Sequence, residues 1–336
     1  MNKLHTIDTA LTEMLGIRYP IIMAPMFLVS NAAMVIEAGN AGATGSIPAL
    51  NYRTDKDFRA ALTQIREHSK GPIGINLIAN KSNIKLQEQL RTCVEMHVDY
   101  IITSLGSPEE IIKACKPEGI KVFCDVVDEK FAKKVEDLGA DALIAVNSGA
   151  GGHAGPMPSD VLIPRLLNAC SIPVINAGEV GKGEHLLKVI ERGACGASIG
   201  SLFIATYEAE VSQEYKQACV DYGAKDIVLT NKISGTPCTV INTPYVQKIG
   251  TQQNWLEVML AKNKSLKKYV KMLTFYKGMK AVENAAFSAT YKTVWCAGPT
   301  IEHVHAIRPV REIIQTLVNE YEEALKAKVM AEVNAS

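Results

Sequence analysis

Eight short apolar runs, each of strand length, constrain this chain more than any other feature. They are Ile21–Met26, Ala43–Pro48, Pro72–Ile78, Tyr100–Gly106, Lys121–Val127, Ala142–Val146, Pro173–Ala177 and Ala197–Gly200. Helix-patterned stretches follow the first five, at Asn31–Ala41, Asp55–His68, Ile84–Met96, Glu109–Lys116 and Glu129–Leu138. Strands alternating with helices at spacings of roughly 25 to 30 residues predict parallel strands joined by crossover helices. Eight such units are the number that closes a cylinder, so the expected fold class is α/β, a TIM (β/α)8 barrel. A doubly wound open sheet is the alternative. It usually has fewer strands, and no GxGxxG fingerprint follows the first run.

After about Thr206 the alternation stops. Residues 207–300 read as a smaller, mostly helical insertion over the barrel mouth. It holds helices over 208–222 and 254–282 and a turn at 234–238. Residues 1–206 and 301–336 are then the barrel. A last amphipathic helix over Pro309–Lys328 places Ile313, Ile314, Leu317, Val318, Tyr321 and Leu325 near helical spacing and completes the outer ring.

The totals agree with a large α/β core. The chain has 336 residues, 47% of them hydrophobic, too many for one small core. Its net charge of +1 gives no global field that would favour nucleic acid. The eight cysteines form no CxxC or CxxH pair, which argues against a zinc site or a disulfide framework. Reduced thiols in a cytoplasmic protein are expected. The N-terminus carries no apolar signal-peptide core, and no apolar run is long enough to span a bilayer.

Barrel enzymes place their chemistry at the carboxyl ends of the strands, so those ends carry the functional information. The sixth run leads into Asn147-Ser-Gly-Ala-Gly-Gly-His-Ala-Gly155. Glycines there let main chain approach a flat or anionic ligand. The lone His153 can take or give a proton near neutral pH. A mobile loop with a solvated imidazole is the simpler alternative. The seventh and eighth units end in Ala177-Gly178-Glu179-Val180-Gly181 and Gly196-Ala-Ser-Ile-Gly200-Ser201. Two such loops, feeding N–H groups and a helix N-terminus to one point, make a phosphate site rather than two ordinary turns. The Glu179 carboxylate has to point away from such a site. Ala24-Pro25-Met26 closes the first run and leaves room for a planar ring. Asn76 is polar within an apolar strand and needs partners, from main chain or from a ring of alternating donors and acceptors. Ser104 and Asp125 end the fourth and fifth runs. Cys124 and Cys296 read as buried structural thiols, and His303 and His305 as non-ligands.

With these positions located, the chain resembles the nitronate monooxygenase family, formerly called 2-nitropropane dioxygenases. That family also holds flavin-dependent NAD(P)H:quinone reductases and FMN-dependent enoyl-ACP reductases. The resemblance runs from about Gly16 to Ile307. Its most specific element is Gly151-Gly152-His153-Ala154-Gly155, followed by Leu162-Ile-Pro164. Ala24-Pro25-Met26 and Trp295-Cys296-Ala297-Gly298 are supporting matches. The resemblance implies FMN at the barrel mouth. Gly178, Gly200 and Ser201 would hold its phosphate, and Ala24, Pro25, Met26 and Asn76 would line its ring. His153 would act near flavin N5 as the catalytic residue. Asp125, Gly151, Gly152, Ala177 and Glu179 complete the expected cofactor contacts, with no metal. Two positions depart from the family pattern. Gly178-Glu179 stands where members often have Gly-Gly, and Asp125 stands where several have a basic residue.

The leading expectation is oxidation of an alkyl nitronate with O2 to a carbonyl compound and nitrite. The alternative uses NAD(P)H as donor and a quinone or enoyl thioester as acceptor. It is motivated by the seven lysines 262, 264, 267, 268, 271, 277 and 280, uninterrupted by acid. A solvated helix face is the simpler account of that run. A flavin-binding subunit without turnover and a phosphate-binding barrel without flavin are the remaining readings. The partners expected are a small-molecule substrate and at most a second copy of the chain in a homodimer. Nucleic acid and membrane are not expected.

Overall fold

The computed structural model describes residues 6–80, 83–231, 237–252 and 294–335. Eight strands form a closed barrel: β1 Ile21–Met23, β2 Thr44–Pro48, β3 Ile73–Ile78, β4 Tyr100–Ser104, β5 Lys121–Val126, β6 Ala142–Val146, β7 Val174–Ala177 and β8 Gly196–Ile199. Every pair is parallel. The cylinder shuts where Ile21, Ile22 and Met23 of β1 lie opposite Ala197, Ser198 and Ile199 of β8. All eight expected runs are therefore strands, with ends that differ from the expected ones by at most three residues.

The helices follow where amphipathic spacing and caps place them. They are α1 Ala10–Leu15, α2 Ala32–Asn40, α3 Asp55–His68, α4 Leu86–Glu95, α5 Glu109–Cys115, α6 Glu129–Asp137, α7 Ser159–Ala169 and α8 Gly183–Glu191. The side chains of Asn31, Thr54 and Asp128 accept from the N–H three residues on and set the starts of α2, α3 and α6. Helix α7 carries Pro164 in its interior, a residue that usually breaks a helical pattern. The C-terminal helix, Val310–Ala335, packs between α8 and α2 and supplies the last member of the outer ring. Its inward residues Ile313, Ile314, Leu317, Val318 and Tyr321 are buried.

Two apolar layers result. Between strands and helices lies the main core. Inside the barrel, Ile22, Tyr100, Ile102, Phe123, Ile144 and Ile175 pack over Leu11 of α1, which plugs the amino end. Tyr100 stacks on Phe123 at 5.2 Å between ring centroids. Its buried hydroxyl donates to the Gly45 carbonyl at 3.1 Å and accepts from Ser46 Oγ at 3.0 Å. The lower half of the cylinder is thus filled, and the larger cavity opens at the carboxyl end.

Beyond the barrel the chain forms α9 Gln213–Asp221, β9 Ile227–Thr230, β10 Cys238–Ile241 and α10 Pro244–Ile249. Strands β9 and β10 pair antiparallel, in a stretch expected to hold only helices and turns. The chain leaves and rejoins the barrel at one place, where Thr206 bridges Arg308. The expected helix over 254–282, the lysine run, and most of the expected turn at 234–238 lie outside the described residues.

Candidate active site

A cavity of about 900 Å³ opens at the carboxyl ends of the strands. The pleat points alternate side chains into it: Asn76 and Ile78 from β3, Ile102 and Ser104 from β4, Ile144 and Val146 from β6. Of the thirteen residues the sequence singled out for catalysis or cofactor contact, twelve line this cavity. They are Ala24, Pro25, Met26, Asn76, Asp125, Gly151, Gly152, His153, Ala177, Gly178, Gly200 and Ser201. The thirteenth, Glu179, does not.

Glu179 explains itself through α7. Its carboxylate accepts from the Ser159 backbone N–H at 3.2 Å and from the Ser159 hydroxyl, capping the start of that helix. Arg192 Nη1 donates to the same hydroxyl at 2.8 Å. The carboxylate is therefore turned from the cavity, as an anion site beside it requires. Its backbone takes a left-handed φ of 63°, a conformation that glycine adopts more easily.

The His153 loop is fixed by two asparagines that the sequence reading did not single out. The Asn147 carboxamide accepts from Gly149 N–H at 2.8 Å and donates to Asn176 Oδ1 at 3.0 Å. Asn176 Nδ2 in turn donates to the Gly178 carbonyl at 2.7 Å. One buried amide pair thus sets the spacing between the His153 loop and the Gly178 loop. A Cβ on Gly178 would fall 2.2 Å from Asn147 Oδ1, so this approach requires glycine. A polar residue within the apolar run Val174-Ile-Asn-Ala177 was the available signal, the same one that identified Asn76. From the other side, Thr239 of β10 donates its N–H to the Gly152 carbonyl at 2.7 Å, and Gly298 N–H donates to Ser201 Oγ at 2.8 Å. His153 itself is half-buried on the cavity wall.

Asn76, Ser104 and Asp125 form a relay across three strands. Asn76 Nδ2 donates to the Ile102 carbonyl at 3.1 Å and to Ser104 Oγ at 2.8 Å. The Ser104 hydroxyl donates to Asp125 Oδ2. This leaves Asn76 Oδ1 as the group that side chain can offer a ligand. Burial pushes the Asp125 carboxyl up to about 6, and the Ser104 hydrogen bond only partly opposes it. The other charged groups on the cavity wall, among the described residues, are Asp128 and Lys134. No described residues form a cluster able to hold a metal ion. No described helix is long and apolar enough to cross a membrane.

A closed parallel barrel with paired glycine loops after β7 and β8, and one imidazole after β6, is the frame of a barrel oxidoreductase. The nitronate monooxygenase family model matches residues 8–320, and the chain belongs to that family of flavin-dependent oxidoreductases. A Rhodococcus jostii relative, (3aS,4S,5R,7aS)-5-hydroxy-7a-methyl-1-oxo-octahydro-1H-indene-4-carboxyl-CoA dehydrogenase, is 30% identical over 246 residues, covering 73% of this chain and 69% of its own. A Staphylococcus aureus relative described as a probable nitronate monooxygenase is 28% identical over 285 residues, covering 71% of this chain and 79% of its own. Among solved structures, FabK from Thermotoga maritima superimposes with a TM-score of 0.84 at 25% identity, over 97% of this chain and all of that one. A nitroalkane oxidase from Streptomyces ansochromogenes shares the fold, with a TM-score of 0.76 at 21% identity, over 95% of this chain and 99% of that one.

Proposed function

We propose that the chain binds FMN and oxidises alkyl nitronates, with His153 as the catalytic residue. The observation that carries this reading is the half-buried imidazole on the cavity wall, carried on a loop whose backbone is fixed by the Asn147–Asn176 pair and by Thr239. The residues fit the cofactor. The glycine loops after β7 and β8 leave room for a phosphate, and the Glu179 carboxylate is turned away from them. Ala24, Pro25 and Met26 offer a wall for a planar ring, and Asn76 Oδ1 offers an acceptor to its edge. When bound, FMN supplies the acceptance of electrons from the nitronate and their passage to O2. His153 orients the nitronate oxygens, or takes the α-proton when the substrate arrives as a neutral nitroalkane.

The described part of residues 207–300 supplies the substrate side of the site in this reading. Tyr215, Cys238, Cys296 and Thr300 come from that stretch and line the cavity. Its entry and exit share the Thr206–Arg308 bridge.

Cavity size favours a second reading, reduction by NAD(P)H with a bulky acceptor such as an enoyl thioester. The cavity is near the upper end of the roughly 300–1,000 Å³ usual for small-molecule sites. Leu50, Ile78, Leu105, Val127 and Phe131 extend an apolar wall that a short nitronate would not use. The Rhodococcus relative is named for a CoA thioester.

Anaerobic mixing of the FMN-loaded protein with propyl-2-nitronate, NADH and NADPH separates the two. Bleaching by nitronate, with nitrite formed when O2 is readmitted, supports the first. Bleaching by a nicotinamide alone moves the assignment to the second. Retained FMN that no donor bleaches rejects both. His153→Ala is expected to keep FMN and lower nitronate turnover by roughly 10²–10⁴-fold, the usual worth of a positioned acid–base group. Unchanged turnover with nitronate and nitroalkane would remove His153 from the mechanism.

A further inference from the structure

We propose that Cys238 and Cys296 are a peroxide-oxidisable dithiol, a modification site on the cavity wall that closes to a disulfide and ties β10 to the segment 294–298. The proposal holds whichever substrate the cavity takes.

The two sulfurs lie 3.7 Å apart. Their placement follows from pairing. Val240 of β10 bridges Cys296 antiparallel, and Ile241 N–H donates to the Trp295 carbonyl at 2.9 Å. Cys238 stands two residues before Val240 and so projects from the same face as Cys296. Diagonal neighbours of this kind are within side-chain reach. The Cys296 backbone is held by the Tyr215 hydroxyl, which donates to its carbonyl at 2.6 Å, and the Tyr215 ring stacks on Trp295 at 5.6 Å. Bond formation requires the sulfurs to close from 3.7 Å to about 2.05 Å.

The two thiols differ in access. Cys238 is 3% exposed, whereas Cys296 is the one cysteine of the eight that is not fully buried. The hydrogen bond to Cys296, together with burial, holds the Cys238 thiol well above its ordinary value and keeps it protonated. Cys296 is therefore the sulfur that meets peroxide. Its sulfur breaks the O–O bond and takes one oxygen as a sulfenic acid, and the proton released from the Cys296 thiol leaves with the other oxygen as one water. The Cys238 sulfur then displaces the sulfenic oxygen, which leaves as a second water with the Cys238 proton. Two thiols lose two electrons in total, and one peroxide is reduced to two waters.

The bond would act on the site through one connection. Thr239, next to Cys238, donates its N–H to the Gly152 carbonyl, and its hydroxyl donates to the Ala150 carbonyl at 3.1 Å. Gly298, two residues past Cys296, is hydrogen-bonded to Ser201. A disulfide would fasten the His153 loop and the β8 loop to one cross-linked strand pair.

The test treats the purified full-length protein with one to two equivalents of hydrogen peroxide, blocks remaining thiols, and maps the peptides by mass spectrometry. The expected product joins the Cys238 and Cys296 peptides, two hydrogens lighter, and is reversed by dithiothreitol. Free thiols should fall from eight to six. This pair should oxidise at least about tenfold faster than the other six, which are buried. Cys238→Ser should halt at a sulfenic acid on Cys296, trapped by a 1,3-dione. In the unsubstituted protein, sulfinic acid on Cys296 beside an unmodified Cys238 would overturn the proposal. Loss of the other six thiols before any Cys238–Cys296 peptide appears would do the same.

Discussion

At the residue scale, Asp125 is the position where the site departs furthest from electrostatic comfort. Its carboxyl loses hydration on the cavity wall and gains one hydroxyl in exchange. The folded value of about 6 lies above the ordinary 3.8, so the folded chain holds the proton more tightly than the unfolded one. Stability therefore falls as pH rises through that interval and stays low above it. Asp125→Asn keeps an acceptor for Ser104 and removes the charge. It should stabilise the cofactor-free protein by about 3 kcal/mol above pH 7, with the gain falling below about 1 kcal/mol near pH 4. Urea unfolding at both pH values measures this, and a gain of equal size at both would contradict it.

At the element scale, Glu179 joins a strand end to a helix start. It strains its own backbone with a φ of 63° and repays that by capping α7 through Ser159. The two contributions can be separated. Glu179→Ala loses the cap and keeps the left-handed strain, and should cost about 1–2 kcal/mol. Glu179→Gly loses the cap and relieves the strain, and should fall within about 0.5 kcal/mol of the parent. Chemical denaturation of the two variants side by side is the measurement. Equal losses would mean that the φ angle stores no energy.

At the scale of the whole molecule, the chain's last helix returns to complete the outer ring by packing on α8 and α2. Gly183, first residue of α8, lies so close to that helix that a Cβ would fall 2.2 Å from the Leu317 carbonyl oxygen and the Tyr321 nitrogen. Its N–H donates to Glu320 at 2.7 Å. Gly183→Val should push the helix off α8 and loosen the packing of Leu317 and Tyr321. Overpacking of this kind costs roughly 1–3 kcal/mol. The prediction is a lower denaturation midpoint, together with faster amide exchange along the C-terminal helix. A midpoint shift without faster exchange there would place the damage elsewhere.

The strands and most of the helices could be read from the chain alone because burial periodicity is a local property. Apolar side chains recur at spacings the backbone geometry dictates, whatever the chain does elsewhere. His153 and the glycines of the β7 and β8 loops were legible for the same reason, since each sits directly after a strand. Helix α7 was less so, because Pro164 interrupts its pattern, and β9 and β10, as long as β7 and β8, lie outside the strand–helix alternation that made the others stand out. Only the tertiary structure decided which polar groups meet. Ser104 and Asp125 are 21 residues apart, Ser159 and Glu179 20, and Cys238 and Cys296 58. Such encounters depend on the register and spatial order of separate segments, which sequence spacing does not encode. Thus the chain's periodicity set the barrel and the strand ends where its cavity opens, while strand register set the direction of the Glu179 carboxylate, the support of Asp125 and the pairing of two thiols.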